Sequence, residues 1–254
     1  MRVEQYLREE VEKKGCINLT LLDPDKVDLD TFVKLGKVAE ECGASGIMVG
    51  GSLGVTESIL DEYVSALKKE VNIPIILFPG SVAGLTRYAD AVWFLVVLNS
   101  SNTYFIVDAQ VQAAVLLAKR YRNLEVLPLA YVIVGEGGTV GYVSHARTIP
   151  YDKADLFVAY ALLANYLRFP FLYLEAGSGA TQHVPPEIVA KCRSVYSGFL
   201  IVGGGIRTEE SAYKIAKAGA DIIVTGTIVE KEPEKLRKIV EAAHRGGLER
   251  KRAK

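Results

Sequence analysis

Two stretches near the end of the chain, Ile201-Val-Gly-Gly-Gly-Ile-Arg207 and Ile223-Val-Thr-Gly-Thr227, decide how it is read. Each is a short apolar strand that stops in glycine. After the first, Thr208-Glu-Glu-Ser211 supplies an N-cap residue and two carboxylates for the opening turn of a helix. Glycine lets a backbone approach a ligand closely, so that several N–H groups converge on one anion. A helix N-terminus adds unpaired donors and the positive end of its dipole. Two such turns in succession have the spacing of the phosphate site of a (β/α)8 barrel, which follows strands 7 and 8. Tight βα turns alone would also use glycine, but the pairing favours phosphate.

Working outward, six further apolar runs read as strands: Ile17–Leu22, Ile47–Val49, Ile75–Phe78, Val92–Leu98, Val126–Val134 and Phe171–Leu174. Between them the apolar residues fall at helical spacing, as in Phe32, Leu35, Val38, Ala39 and Cys42. A helix over Val3–Lys14 precedes the first strand, and a last one runs from Pro233 to Arg245. Val82–Asp90 is short and weakly patterned for a helix. Gly135–Arg147 is a glycine-rich insert after strand 5, expected to form a small hairpin or flap. Apolar strands alternating with amphipathic helices imply a parallel sheet covered by helices. A doubly wound sheet shares that alternation but lacks the late phosphate pair. The fold class expected is α/β, a single (β/α)8 TIM barrel spanning residues 1–254.

The bulk properties agree, since such barrels need about 250 residues and this chain has 254, half of them hydrophobic. Thirty basic residues balance thirty acidic ones, which argues against a nucleic-acid footprint. Cys16, Cys42 and Cys192 form no CxxC motif and read as buried thiols of a cytoplasmic protein. The charged, amphipathic N-terminus does not read as a signal peptide, and no apolar run reaches the ~18 residues of a membrane span.

In a barrel the reactive groups lie at the C-terminal ends of the strands. Those ends hold Asp23-Pro-Asp25-Lys26, Gly51-Ser52, Gly80-Ser81, Asn99-Ser-Ser101, Glu175-Ala-Gly-Ser-Gly179, Gly203-Gly-Gly205 and Gly226-Thr227, and no histidine. A zinc site or a Ser–His–Asp hydrolase is therefore not supported. Asp23 and Asp25 suit magnesium, although an Asp-Pro-Asp turn capping the next helix is the favoured reading of those residues alone. Glu175 ends an apolar strand and meets a flexible, hydroxyl-bearing turn, where it can bind or deprotonate a substrate hydroxyl.

Thr20-Leu-Leu-Asp-Pro-Asp-Lys26, Gly50-Gly-Ser52, Tyr173-Leu-Glu-Ala-Gly-Ser-Gly179, Gly203-Gly-Gly-Ile-Arg207 and Gly226-Thr227, taken in order, resemble the geranylgeranylglyceryl phosphate synthases. These are archaeal prenyltransferases of ether-lipid synthesis, and the likeness covers nearly the whole chain. It implies joining the 3-hydroxyl of sn-glycerol 1-phosphate to geranylgeranyl diphosphate, with release of diphosphate. It implies Mg²⁺ on Asp23 and Ser52. It implies glycerol phosphate held by Tyr173, Leu174, Glu175, Ala176, Gly177, Ser178, Gly179, Gly203, Gly204, Gly205, Gly226 and Thr227. Glu175 would orient the hydroxyl and accept its proton, with Tyr173 beside it. Bacterial relatives carry a lysine two positions before the metal-binding aspartate, where this chain has Leu21, so the archaeal branch is indicated.

The resemblance also implies a homo-oligomer in the cytoplasm. The apolar groove for the prenyl chain is expected from strand-end aromatics and from the insert around Tyr142, with Val132–Arg147 closing over the tail. The basic stretch 245–254 is expected to be a frayed, solvated tail, with transient contact to anionic lipid as the alternative. The competing enzyme class is a phosphate-binding barrel acting on a soluble sugar phosphate, an isomerase or lyase. Such an enzyme needs an acid–base pair across the mouth, and Gly50-Gly-Ser52 supplies no titratable group there.

Overall fold

The computed structural model describes residues 2–51 and 54–253. Eight parallel strands close into a barrel in chain order: β1 (Ile17–Leu22), β2 (Gly46–Val49), β3 (Ile75–Leu77), β4 (Ala91–Val97), β5 (Glu125–Ile133), β6 (Phe171–Glu175), β7 (Phe199–Gly203) and β8 (Ile222–Thr225). The last strand pairs with the first, Ile17 against Ile222 through Thr20 against Thr225. The outer layer contains α2 (Leu29–Glu41), α3 (Glu57–Leu67), α4 (Asp108–Lys119), α6 (Ala154–Tyr166), α7 (Pro186–Val195), α8 (Glu209–Ala218) and α10 (Pro233–Arg252). Two shorter helices, α5 (Gly138–Val143) and α9 (Thr227–Lys231), lie in the loops after β5 and β8. No described helix is long and apolar enough to cross a membrane.

Strand periodicity divides the apolar residues into two cores. Ile17, Leu19, Met48, Ile76, Trp93, Leu129, Phe171, Ile201 and Val224 point inward and fill the barrel. Their neighbours Leu22, Ile47, Val92, Val132, Leu172, Val202 and Ile223 point outward to meet the helices. The N-terminal end is stoppered by α1 (Val3–Lys14), whose Val3, Leu7 and Val11 join the inner core. The Glu125 carboxylate, at the start of β5, accepts from the N–H groups of Val3 and Glu4 and so caps that helix. Helix starts follow the expected signals: Asp28 accepts from the Thr31 N–H at 2.8 Å, and Thr208 and Ser211 form a capping box.

The structure settles the weakly patterned third crossover and corrects two expectations, for the insert and for the C-terminal segment. Residues 78–90 carry no helix, so the third crossover is a loop. Gly80 and Gly84 within this stretch, and the lack of a 3.6-residue repeat, leave nothing to nucleate one. The insert is not a hairpin: it contains α5, and bridges at Ser100–Ala146 and Val134–Ile149 pin it. The C-terminal segment is not frayed. Helix α10 continues to Arg252, with Gly246 and Gly247 buried. A Cβ at Gly247 would lie 2.3 Å from the Cys16 nitrogen, so only glycine permits this crossing beneath β1.

Asp221 fastens the same end. Its carboxylate receives the Arg193 and Arg250 guanidiniums, each at 2.7 Å, and the Leu200 N–H at 3.0 Å. Arg250 also donates to the carbonyls of Ala220 and Gly15. Removing one member strands buried charge. Asp221→Ala is expected to lower unfolding stability by about 3–5 kcal/mol. Breaking the exposed Lys214–Glu210 pair by Lys214→Ala should leave the unfolding transition almost unmoved. Denaturant unfolding monitored by circular dichroism would check both.

Candidate active site

The C-terminal ends of the strands enclose a cavity of about 300 Å³. Its two walls differ in chemistry. Asp23, Glu175, Ser178, Gly179, Gly204, Gly205, Gly226 and Thr227 form a polar wall, rich in main chain, over β1 and β6–β8. Phe78, Pro79, Leu95, Val97, Phe105, Val140 and Val143 form an apolar wall over β3–β5.

On the polar wall the loops after β6 and β7 touch so closely that side chains are excluded. Gly177, Gly204 and Gly205 have φ of +102°, +83° and +71°. A Cβ on Gly204 would lie 2.9 Å from the Gly177 nitrogen, and one on Gly205 2.7 Å from the Gln182 carbonyl carbon. Arg207 fastens the loops by donating to the carbonyls of Gly179 and Ala180 at 2.9 and 2.7 Å. In the helix after β7 a capping box takes up the N–H groups of Thr208 and Ser211. No side chain caps the short α9, whose Gly226, Thr227 and Ile228 line the cavity. That helix was not legible in the sequence.

Glu175 sits at the base of this wall, 6% exposed. The Gly177 N–H donates to its Oε1 at 2.7 Å. Burial raises its pKa above the ordinary carboxylate range, although Tyr173, the Gly177 N–H and Tyr131 favour the charged form. Both tyrosines are held well above the usual phenol range, by burial first and then by the Glu175 charge. Their ring centroids are 5.1 Å apart, and Phe78 packs edge-on against Tyr131 at 5.6 Å. The Tyr173 hydroxyl is buried and without a hydrogen-bond partner among the described residues. It fills the space where a Cβ on Gly203 would stand, 2.2 Å away. Gly203 thus makes room for Tyr173 and does not itself line the cavity. Leu174 and Ala176 face the outer core, leaving only their main chain to the site. Gly177 packs on Gly137 and Gly138 of the insert, which couples the two loops.

Asp23 ends β1 and lies over Gly51, where a Cβ would come within 2.6 Å of its Oδ1. Burial raises its pKa, and Lys26 Nζ stands 3.7 Å from Oδ2. Asp25 turns away from the cavity toward Gly54. Ser52 lies outside the described residues. No cluster of three or more acidic, histidine or cysteine ligands occurs among the described residues. One partly buried carboxylate open to the cavity nonetheless suits Mg²⁺, which commonly takes one or two carboxylates and fills its other positions with water and substrate phosphate.

On the apolar wall, the loop that replaces the third crossover helix leaves a groove open. It continues from the cavity through Pro79, Leu95 and Phe105 to Leu85, Phe94, Ala109, Ala113 and Leu117, between β4 and α4. Val140 and Val143 of the insert close the cavity from above. Tyr142, expected to line the groove, is 86% exposed and points away, because the turn of α5 presents Val140 and Val143 instead. Sequence reading missed Tyr131, Phe78 and Glu230. The first two were findable from strand parity, since they continue the inward series of β5 and β3.

The PcrB family matches residues 7–243. The chain is 56% identical over 252 residues to the geranylgeranylglyceryl phosphate synthase of Caldivirga maquilingensis, covering 98% of this chain and 94% of that one. It is 52% identical over 255 residues to that of Thermofilum pendens, covering 99% and 98%. Among solved structures, (S)-3-O-geranylgeranylglyceryl phosphate synthase from Thermoplasma acidophilum, in complex with substrate sn-glycerol-1-phosphate, is 38% identical with a TM-score of 0.91. That likeness covers 96% of this chain and 99% of the other. With a family match across almost its full length and relatives above half identity, the chain belongs to the PcrB family.

Proposed function

We propose that the chain is a prenyltransferase that forms an ether bond between the 3-hydroxyl of sn-glycerol 1-phosphate and C1 of geranylgeranyl diphosphate, releasing diphosphate. The observation that carries this reading is the division of one cavity into a polar, glycine-lined wall and an apolar groove. A soluble sugar phosphate would need only the first wall. An isomerase or lyase would also need a second titratable group facing Glu175 across the mouth, and Gly50 and Gly51 stand at the end of β2.

The polar wall would hold the phosphate through main-chain donors around Ser178, Gly179, Gly204, Gly205, Gly226 and Thr227. This fixes the glycerol hydroxyl near Glu175. The Gly177 N–H steers one carboxylate oxygen and leaves the other for the hydroxyl proton. Tyr173, with its hydroxyl unpaired, is placed to bond the glycerol. As the hydroxyl oxygen bonds to the prenyl C1, the C1–O bond to diphosphate breaks and the proton passes to Glu175. Mg²⁺ bound by Asp23, with Ser52 as the second ligand, would take up the negative charge growing on the leaving diphosphate. Lys26 stands beside Asp23, and Lys231 also lines the cavity. The groove admits the C20 chain, and the insert's valines cover it. Work in the cytoplasm as a homo-oligomer completes the reading.

Transfer of label from glycerol 1-phosphate into a butanol-extractable lipid, given geranylgeranyl diphosphate and Mg²⁺ and abolished by EDTA, is the expected result. Glu175→Gln should lower kcat by about 10²-fold or more. Transfer indifferent to EDTA would remove the metal from this account, and an unchanged kcat would remove Glu175 as base.

The raised pKa of Glu175 makes the carboxylate, the form that accepts a proton, dominant only above that value. The acid limb of kcat/KM is therefore expected at higher pH than an ordinary carboxylate gives. Tyr131→Phe deletes a contact that favours the charged form, so the limb should move to still higher pH. A pH profile with both limbs unmoved would contradict this assignment.

A further inference from the structure

The two edges of β4 end at different heights. Toward β5 the strand pairs from Ala91–Glu125 through Val97–Tyr131, but toward β3 its pairing stops at Leu77–Val92. Beyond Val92 the edge facing β3 has no strand to bond among the described residues, and there the groove leaves the cavity. Main-chain groups left bare beside an apolar channel need partners, or they draw water into it.

Gln110 supplies one such partner. It stands in the first turn of α4, and its Nε2 donates to the Leu95 carbonyl and, at 3.1 Å, to the Phe105 carbonyl. Phe105 closes a single 3-10 turn (Thr103–Phe105) just before α4. The opposite orientation of the amide would set Oε1 against two carbonyl oxygens, so the contacts decide which end is nitrogen. Both amide hydrogens are used, whereas Oε1 is buried with no partner among the described residues. A buried acceptor left bare lowers stability. Fold stability alone therefore does not account for this glutamine, and what its donors hold does.

They hold the neck of the groove. Pro79, Gly80, Leu95, Val97 and Phe105 line both the cavity and the groove, and Gln110 brackets two of these five. One is on the barrel strand and the other on the turn before α4, so the amide sets the distance between them. We infer that Gln110 is a positioning residue for the prenyl chain, which keeps the neck at the width that a long isoprenoid threads. The inference rests on the prenyl transfer proposed above and deepens it by assigning a residue that touches no reacting atom. Gln110 acts through Leu95 and Phe105, and only on chains long enough to pass between them.

Trp93, the single tryptophan, lines the groove, so its fluorescence reads occupation without any transfer step. Gln110→Met keeps the side chain's length and removes both donors. The Kd for geranylgeranyl diphosphate is expected to rise about tenfold, the equivalent of one lost hydrogen bond. The Kd for the C10 diphosphate and the KM for sn-glycerol 1-phosphate should stay unchanged. Gln110→Asn, whose amide falls one carbon short of the two carbonyls, carries the same expectation should the methionine variant fail to fold. In a Phe105→Ala background, where the bracketed side chain is gone, Gln110→Met should raise the C20 Kd less than it does alone. A general loss of stability would not produce that non-additivity. A C20 Kd unmoved by both variants, an equal rise for C10 and C20, or additive effects in the double variant would overturn the inference. A chain that binds the C20 diphosphate in this Gln110-dependent way yet transfers nothing would support the assignment while refuting the reaction proposed above.

Discussion

In a closed barrel every second strand residue must enter the interior, and at the C-terminal rim that interior becomes the cavity. This alternation is the constraint from which the site follows. The inward series of β6 runs Phe171, Tyr173, Glu175, so the parity that buries Phe171 beside Trp93 also delivers a carboxylate to the cavity base. On β5 the same series ends in Tyr131 and Ile133, and on β4 in Leu95 and Val97. Polar and apolar walls therefore differ first in which strands end in which residues.

Burying a carboxylate is costly unless it is hydrogen-bonded. Glu175 keeps its place through the Gly177 N–H, and that loop is in turn held by glycines too closely stacked for any side chain. The insert joins this stack at Gly137 and Gly138 and sends Val140 and Val143 to the opposite wall. The phosphate side and the apolar side are thus mechanically connected through six residues of helix.

Much of this was legible in the sequence. The strand pattern, the paired glycine turns and Glu175 at a strand end all depend on local periodicity or on glycine chemistry, which a sequence displays. The third crossover was harder, since a weak helical pattern and a loop look alike over nine residues. The C-terminal tail misled because its basic composition suggested solvent. Gly246 and Gly247 there serve a helix crossing beneath β1, and Arg250 reaches Asp221, and both contacts are purely tertiary. Tyr142 misled for a similar reason, since its aromatic type said nothing about which face of α5 it would occupy.

The missing third helix opens the groove through which a phosphate-binding barrel would take a long prenyl chain. The most direct measurement is the chain-length profile of prenyl transfer after Ala113→Phe, which fills the groove beneath α4 without touching the polar wall. The account expects kcat/KM for the C20 diphosphate to fall by about tenfold or more while the C10 diphosphate is spared. An equal effect on both lengths, or none on either, would contradict it.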